Sequence, residues 1–372
     1  MTSFVDESSQ NSTPSNEGYF VGSFTINWCN TPINEDTVVN HNTFDSVAEY
    51  ARAELNKLAV RLGLTQDQID MLQFLFTQSL QCSAEILAKH ANDPYVPANK
   101  EAREFLDFLE KLIVGEESRL IGEENLAQAL EFMQEGGNVL LVQNHTSGAD
   151  TIVMDYLVNK LFNNAAKSWT YMAGHVVNLF LLPLTICGGL SRIPIFSAKY
   201  CQHASPEILA DMKAQNANAM GQLAPLVSKG GVLIGLYPEG GRGEGALKAG
   251  EVRTMKIPQL LSMASPRGLM ILPSYVSGAT SILPVVRSER EFEEFITHVR
   301  RGNANVEFGR GVMWDDLQPT HDTLLAYLGE DCCVGLTPDQ ALKHFLTDQV
   351  MGLIAKMAPT EAAKGPYGKV VK

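Results

Sequence analysis

A chain of 372 residues, 45% hydrophobic and 19% charged, has ordinary globular composition and is long enough for one large core plus a smaller unit. Its 29 basic residues against 42 acidic ones give a net charge of −13, which argues against a general nucleic-acid surface and against whole-protein attraction to anionic lipid. A local basic site for phosphate stays open. The six cysteines (Cys29, Cys82, Cys187, Cys201, Cys332 and Cys333) make no Cys-x-x-Cys pair and no Cys/His cluster, so the expectation is reduced thiols and no metal.

Residues 1–18 are rich in Ser, Asn, Thr and Glu with few apolar anchors and read as a disordered tail. The opening Met1–Ser8 is acidic and lacks Arg, unlike a secretory or transit segment, so a cytoplasmic protein is expected. From Phe44 the pattern turns helical: Val47, Tyr50, Ala51, Leu55, Leu58 and Leu62 recur at three- and four-residue steps. Thr65-Gln66-Asp67-Gln68 is a capping box that opens a second helix reaching to about His90. Pro94 and Pro97 end that run, and Phe105, Phe108, Leu109 and Leu112 mark a third helix. Residues 19–114 are therefore expected to form a small helical bundle.

After Gly115 strand and helix alternate. A helix near 124–134 stops at Gly136-Gly137. Strands are expected at 138–143, 168–173, 190–196, 231–237 and 269–277, with a less regular one at 303–308. Helices near 150–162, 206–227, 255–264 and 288–299 lie between them, and Asp339–Met357 reads as a C-terminal helix. This grammar predicts an α/β domain over 115–372, with a largely parallel, mixed sheet covered by helices. The stretch from Ser168 to Ser191 has no Asp, Glu, Lys or Arg, but His175, Asn178, Pro183, Gly188 and Gly189 interrupt it. At most peripheral membrane contact is expected. Within it, 176–184 reads either as ordinary core or as the lining of an acyl-chain channel.

The chemistry concentrates at strand ends. Val139–Gln143 runs into Asn144-His145-Thr146-Ser147-Gly148-Ala149-Asp150. An imidazole at a strand's carboxyl end faces the crevice where open α/β sheets place ligands. The turn lets Asp150 fold back and hold one ring nitrogen, leaving the other to take a proton from an alcohol. A second strand, Val232–Tyr237, leads into Pro238-Glu239-Gly240-Gly241-Arg242. Two glycines let backbone N–H groups approach an anion, and Arg242 can grip a phosphate bidentately. Glu239 reads as structural, bonding backbone or Arg. Arg192, inside the apolar strand Gly188–Phe196, must either pair or reach the crevice as a phosphate ligand, and Lys199 carries the same two readings. Lys248 and His175 are weaker candidates for the same crevice.

These blocks, in this order, resemble the glycerolipid acyltransferase superfamily. Asn-His-x4-Asp matches its catalytic block, and Gly188–Phe196 and Tyr237–Arg242 its second and third. Ile271–Gly278 looks like the fourth. Within that superfamily the chain is most similar to soluble plastid-type glycerol-3-phosphate acyltransferases, through its helical prologue and Ser197-Ala198-Lys199-Tyr200. It departs from them at Tyr200 and Glu244, where they carry basic residues of a phosphate-binding cluster. The resemblance implies His145 and Asp150 as catalytic residues, and Arg192, Lys199, Gly240, Gly241 and Arg242 as the phosphate site. It implies sn-glycerol 3-phosphate as acceptor, acyl-carrier protein or acyl-CoA as co-substrate, and no resident cofactor. Plastid stroma is then the second expected location. The alternatives are a 1-acylglycerol-3-phosphate acyltransferase and a catalytically silent acyl-group or acyl-carrier binding module. An α/β hydrolase is disfavoured for want of a Gly-x-Ser-x-Gly elbow.

Overall fold

The computed structural model describes residues 18–21, 24–27, 44–90, 93–174, 177, 185–196, 201, 204–240, 256–284, 297–330 and 333–358. A two-stranded antiparallel ribbon, β1 (Gly18–Val21) with β2 (Phe24–Asn27), comes first. It lies ahead of Phe44, where the sequence places the first helix and where the first described helix begins. Three follow, α1 (Phe44–Leu62), α2 (Gln66–His90) and α3 (Lys100–Ile113). The capping box at Thr65 forms as its sequence demands: Thr65 N donates to Gln68 Oε1 at 3.0 Å and Gln68 N to Thr65 Oγ1 at 3.4 Å. Asn99 caps α3 through Ala102 N at 3.0 Å.

An α/β unit follows, running from β3 (Arg119–Ile121) and α4 (Glu123–Gln134) through β4 (Asn138–Gln143), α5 (Asp150–Leu161), β5 (Thr170–Gly174) and β6 (Ser191–Ile195). It continues with α6 (Pro206–Val227), β7 (Leu233–Leu236), α7 (Lys256–Ala264), β8 (Leu269–Ser277), β9 (Asn305–Phe308) and β10 (Val312–Met313). It closes with α8 (His321–Leu328) and α9 (Pro338–Ala355). The strands expected at 138–143 and 269–277, and the helix at 206–227, have those boundaries. β3, β10 and α8 are additions. The helix expected at 288–299 lies largely outside the described residues.

The eight strands form one sheet in the order β3-β9-β8-β4-β7-β5-β6, with β10 beside the start of β8. β8, β4, β7, β5 and β6 are mutually parallel, and β9 joins antiparallel to β8. The sheet is thus mixed but mostly parallel. The chain leaves β4 in one direction to build β5 and β6, then returns to lay β7 and β8 on either side of it. β4 is therefore central, and its carboxyl end opens at the switch point where such sheets hold ligands.

All six residues of β4 are buried, as a strand covered on both faces requires. Successive side chains enter different cores. Val139 and Leu141 join the cluster built with α1–α5, whereas Leu140 and Val142 join the one under α6, α7 and α9. The first cluster runs unbroken from Leu55, Leu72 and Phe105 of the prologue helices to Val139 and Val153. Gly235 in β7 is needed for close packing, since a Cβ there would lie 2.6 Å from the Tyr171 ring.

The prologue also reaches the sheet through charge. Arg103 of α3 pairs with Asp155 of α5, donates from Nε to Asp107 at 2.6 Å and meets Glu110 at 3.4 Å. Lys167 adds a contact to Asp107 at 2.8 Å. The carboxylates of Asp107, Glu110 and Asp155 lie within 4.8 Å of one another, but the Arg103 guanidinium already supplies their cation. Burial, reinforced by the charge of Asp155, holds the Glu110 carboxyl well above the usual carboxylate range.

Candidate active site

The central strand β4 delivers its last residues to the crevice. Asn144 is almost fully buried and ties this end of β4 to β8: its Nδ2 donates to Val276 O at 2.9 Å and its Oδ1 accepts from Val276 N at 2.7 Å. This bidentate bond stands in for a ladder step just where the chain must turn away. His145 follows. Its backbone N donates to Glu239 Oε2 at 3.4 Å, so Glu239 braces the turn, the structural part the sequence reading assigned to it.

The turn is organised by Asp150, the first residue of α5. Asp150 Oδ2 accepts from Thr146 N at 2.7 Å and Ser147 N at 2.8 Å, and Oδ1 accepts from Thr146 Oγ1 at 3.1 Å. Oδ2 also lies 3.0 Å from His145 Nδ1. Ser147 Oγ donates to Leu283 O at 2.7 Å and accepts from Ala149 N at 3.0 Å, anchoring the loop from the other side. The expected pairing of His145 with Asp150 is therefore present, inside a turn that fixes both. A carboxylate can only accept, so Nδ1 carries the proton and Nε2 is the basic nitrogen. The Asp150 side chain is 0% exposed and that of His145 is 22% exposed. The carboxylate is sealed in, while the ring keeps access to the crevice.

Tyr237, at the end of β7, covers one face of the imidazole. The ring centroids are 4.1 Å apart with 23° between the planes, and the Tyr237 hydroxyl bonds Thr151 Oγ1. Burial, with the nearby Asp150 charge, raises the Tyr237 phenol above its ordinary value and so keeps it neutral. Tyr275 of β8 is raised likewise by burial and by Glu239 and Asp150. Sequence reasoning assigned no function to Tyr237, Thr151 or Asn144. An aromatic residue at the close of an apolar strand, just before the Pro-Glu-Gly-Gly-Arg run, was the available signal for Tyr237.

The expected phosphate residues divide. Gly240 is exposed and has φ +65°, the left-handed conformation that suits glycine, and its N–H donates back to Tyr237 O at 3.1 Å. Arg192 is 2% exposed, and its Nη1 donates to Cys187 O at 3.4 Å and Leu190 O at 3.2 Å. It satisfies the carbonyls of the turn before its own strand, and burial lowers its pKa to about 10. Its backbone pairs with Val96, which covers the β6 edge. Lys199, Gly241, Arg242, Lys248 and His175 lie outside the described residues, as does all of 176–184 except Val177.

Comparison with known proteins follows the same residues. Positions 118–277 match the family model described as Acyltransferase. A chloroplastic glycerol-3-phosphate acyltransferase of Spinacia oleracea is 28% identical over 159 residues, covering 40% of this chain and 34% of the relative. One from Cucurbita moschata is 30% identical over 114 residues, covering 30% and 25%. The matched stretch spans about a third or less of these relatives' length. A solved 1-acyl-sn-glycerophosphate acyltransferase of Thermotoga maritima superposes with a TM-score of 0.36 at 14% identity, covering 77% of this chain and 89% of that one. Among the described residues no helix is long and apolar enough to cross a membrane. Over the stretch that holds His145, Asp150 and Tyr237, the chain is similar to the Acyltransferase family and to plastid glycerol-3-phosphate acyltransferases.

Proposed function

We propose that the protein transfers a fatty acyl group from acyl-carrier protein or acyl-CoA to the 1-hydroxyl of sn-glycerol 3-phosphate, giving lysophosphatidate. The observation that carries this reading is the His145–Asp150 pair at the carboxyl end of the central strand, with Nε2 left as the base. Nε2 takes the proton of the acceptor hydroxyl as its oxygen attacks the thioester carbonyl. The new C–O bond forms, the C–S bond breaks, and the imidazolium returns its proton to the departing thiolate. A base so placed accelerates such a reaction by about 10²–10⁴. Asp150 stabilises the transient imidazolium without leaving its turn.

The acceptor's phosphate is assigned to Gly240, Gly241 and Arg242, with Lys199 as a further cation, while Arg192 holds the turn before its strand through Cys187 O and Leu190 O. The exposed, left-handed Gly240 at the head of the Gly240-Gly241-Arg242 run supports this assignment. No metal or resident cofactor enters the proposal. The protein would act as a soluble or peripheral enzyme of the cytoplasm or plastid stroma, with no nucleic-acid partner.

The test is incubation of the purified protein with labelled glycerol 3-phosphate and either palmitoyl-CoA or palmitoyl-carrier protein, with product identification. Labelled lysophosphatidate that disappears in His145→Ala supports the reading. Product only from 1-acylglycerol 3-phosphate would move the assignment to the second acylation. Tight retention of the acyl donor with no product from either acceptor would make the chain a binding module.

A further inference from the structure

We propose that Tyr237 is a positioning residue for His145: its ring forms the wall against which the imidazole works. A single Nδ1···Oδ2 contact at 3.0 Å fixes where one corner of the His145 ring lies but lets the ring rock about that contact. The stacked Tyr237 ring, 4.1 Å away and 23° from parallel, removes that freedom and so fixes where Nε2 points.

The wall is itself braced. The Tyr237 hydroxyl bonds Thr151 Oγ1, and Thr151 follows Asp150 directly in the first turn of α5. One helical turn therefore holds the imidazole twice, by its edge through Asp150 and by its face through Tyr237. The position is also suited to the charge that develops. When His145 accepts a proton the imidazolium lies over the electron-rich face of a neutral ring, an attraction absent before proton transfer. An interaction stronger in the transition state than in the ground state raises kcat rather than affinity.

This role rests on the reading of His145 as the base, and the experiment separates the two. Full-length protein is labelled with 13C-histidine, the His145 Cε1–H resonance is assigned with His145→Gln, and spectra are recorded for wild type, Tyr237→Phe and Tyr237→Leu. Stacking displaces that resonance upfield by the phenol ring current. We expect the displacement in wild type and the Phe variant, and its loss in the Leu variant. The same proteins are assayed for transfer from palmitoyl-CoA to glycerol 3-phosphate.

Tyr237→Leu should lower kcat by about 3- to 30-fold with KM within twofold of wild type, and Tyr237→Phe should recover most of that loss. Tyr237→Met serves as the second ring-less variant if the Leu variant fails to fold. An upfield displacement that persists without the ring overturns the proposal. So does a ring-less variant with unchanged kcat, or a loss carried entirely by KM. If wild type turns over no acceptor, the acyl-transfer reading fails instead. The ring-current shift then decides by itself whether Tyr237 positions His145.

Discussion

Asp150→Asn separates the charge of Asp150 from its place in the turn. The carboxylate accepts from His145 Nδ1, Thr146 N, Ser147 N and Thr146 Oγ1, and three of these bonds end on Oδ2. The two backbone donors cannot turn away, so an asparagine must set its carbonyl oxygen where Oδ2 stands. Nδ1–H then keeps its acceptor, and the new amide faces Thr146 Oγ1, a hydroxyl that can rotate to accept. The bonding pattern and the His145 tautomer survive while the charge is lost. Two buried backbone bonds change from charge-assisted to neutral, about 1 kcal/mol each, and a helix N-terminus loses its anion, about 0.3–1 kcal/mol. Stability should fall by about 2–3 kcal/mol. The imidazolium loses more: a counter-charge some 4 Å away is worth up to about 4 kcal/mol at an effective dielectric constant near 20. We therefore expect kcat to fall between about 10- and 1,000-fold. Steady-state kinetics with palmitoyl-CoA and glycerol 3-phosphate, beside urea unfolding midpoints, read both quantities. A folded Asp150→Asn protein within threefold of wild-type kcat would show that Asp150 merely caps its turn. Asp150→Ala is less informative, because it strands two buried N–H groups at about 1–3 kcal/mol each.

Arg242→Ala should raise KM for the phosphorylated acceptor at least tenfold while leaving KM for the acyl donor within twofold, read from initial rates. Glu110→Gln should abolish a pH dependence of stability. A carboxyl held above its ordinary value keeps its proton in the folded state while the unfolded chain releases it. Wild type therefore loses stability as pH rises above about 4.5, until the folded-state value is passed. In urea unfolding the Gln variant should match wild type near pH 4.5 and exceed it at pH 7.5; an unchanged gap across that range would refute the assignment. A chain beginning near Gly115 should be poorly soluble, because it exposes the face of α5 and the sheet that α1–α3 bury; a soluble, fully active fragment would count against this.

Periodicity made most of the fold legible, because each long element answers to one dominant force. β4 and β8 are apolar runs buried on both faces, and α6 opens with Ser205 and Pro206 in their preferred capping positions. Beside the eight-residue α8, the elements of the α/β unit that escaped the sequence reading are very short strands. β3 has three residues and β10 two, too few for a period to register. The site was legible where function and local geometry coincide. The five-residue step from His145 to Asp150 is one turn, and a turn can be read from its own residues. Tyr237 could not be read that way. Its contact with His145 joins residues 92 positions apart and depends on β7 lying beside β4, which no local pattern specifies.

That adjacency also bears on why a helical prologue accompanies the chemistry. α5 carries Asp150 and Thr151 in its first turn, and Asp155 one turn later. The first two hold His145 and Tyr237. Asp155 pairs with Arg103 of the prologue helix α3 and accepts from Asn159 Nδ2 at 2.7 Å. A helix is stiff over so short a span, so a shift of Asp155 moves the first turn with it. Val153, between the two sets of contacts, packs in the same core as Leu106 and Leu109. The prologue bears on the helix that holds His145 along both apolar and ionic contacts. Loosening that support would act on the orientation of Nε2, and so on the rate, even with every residue of the turn intact.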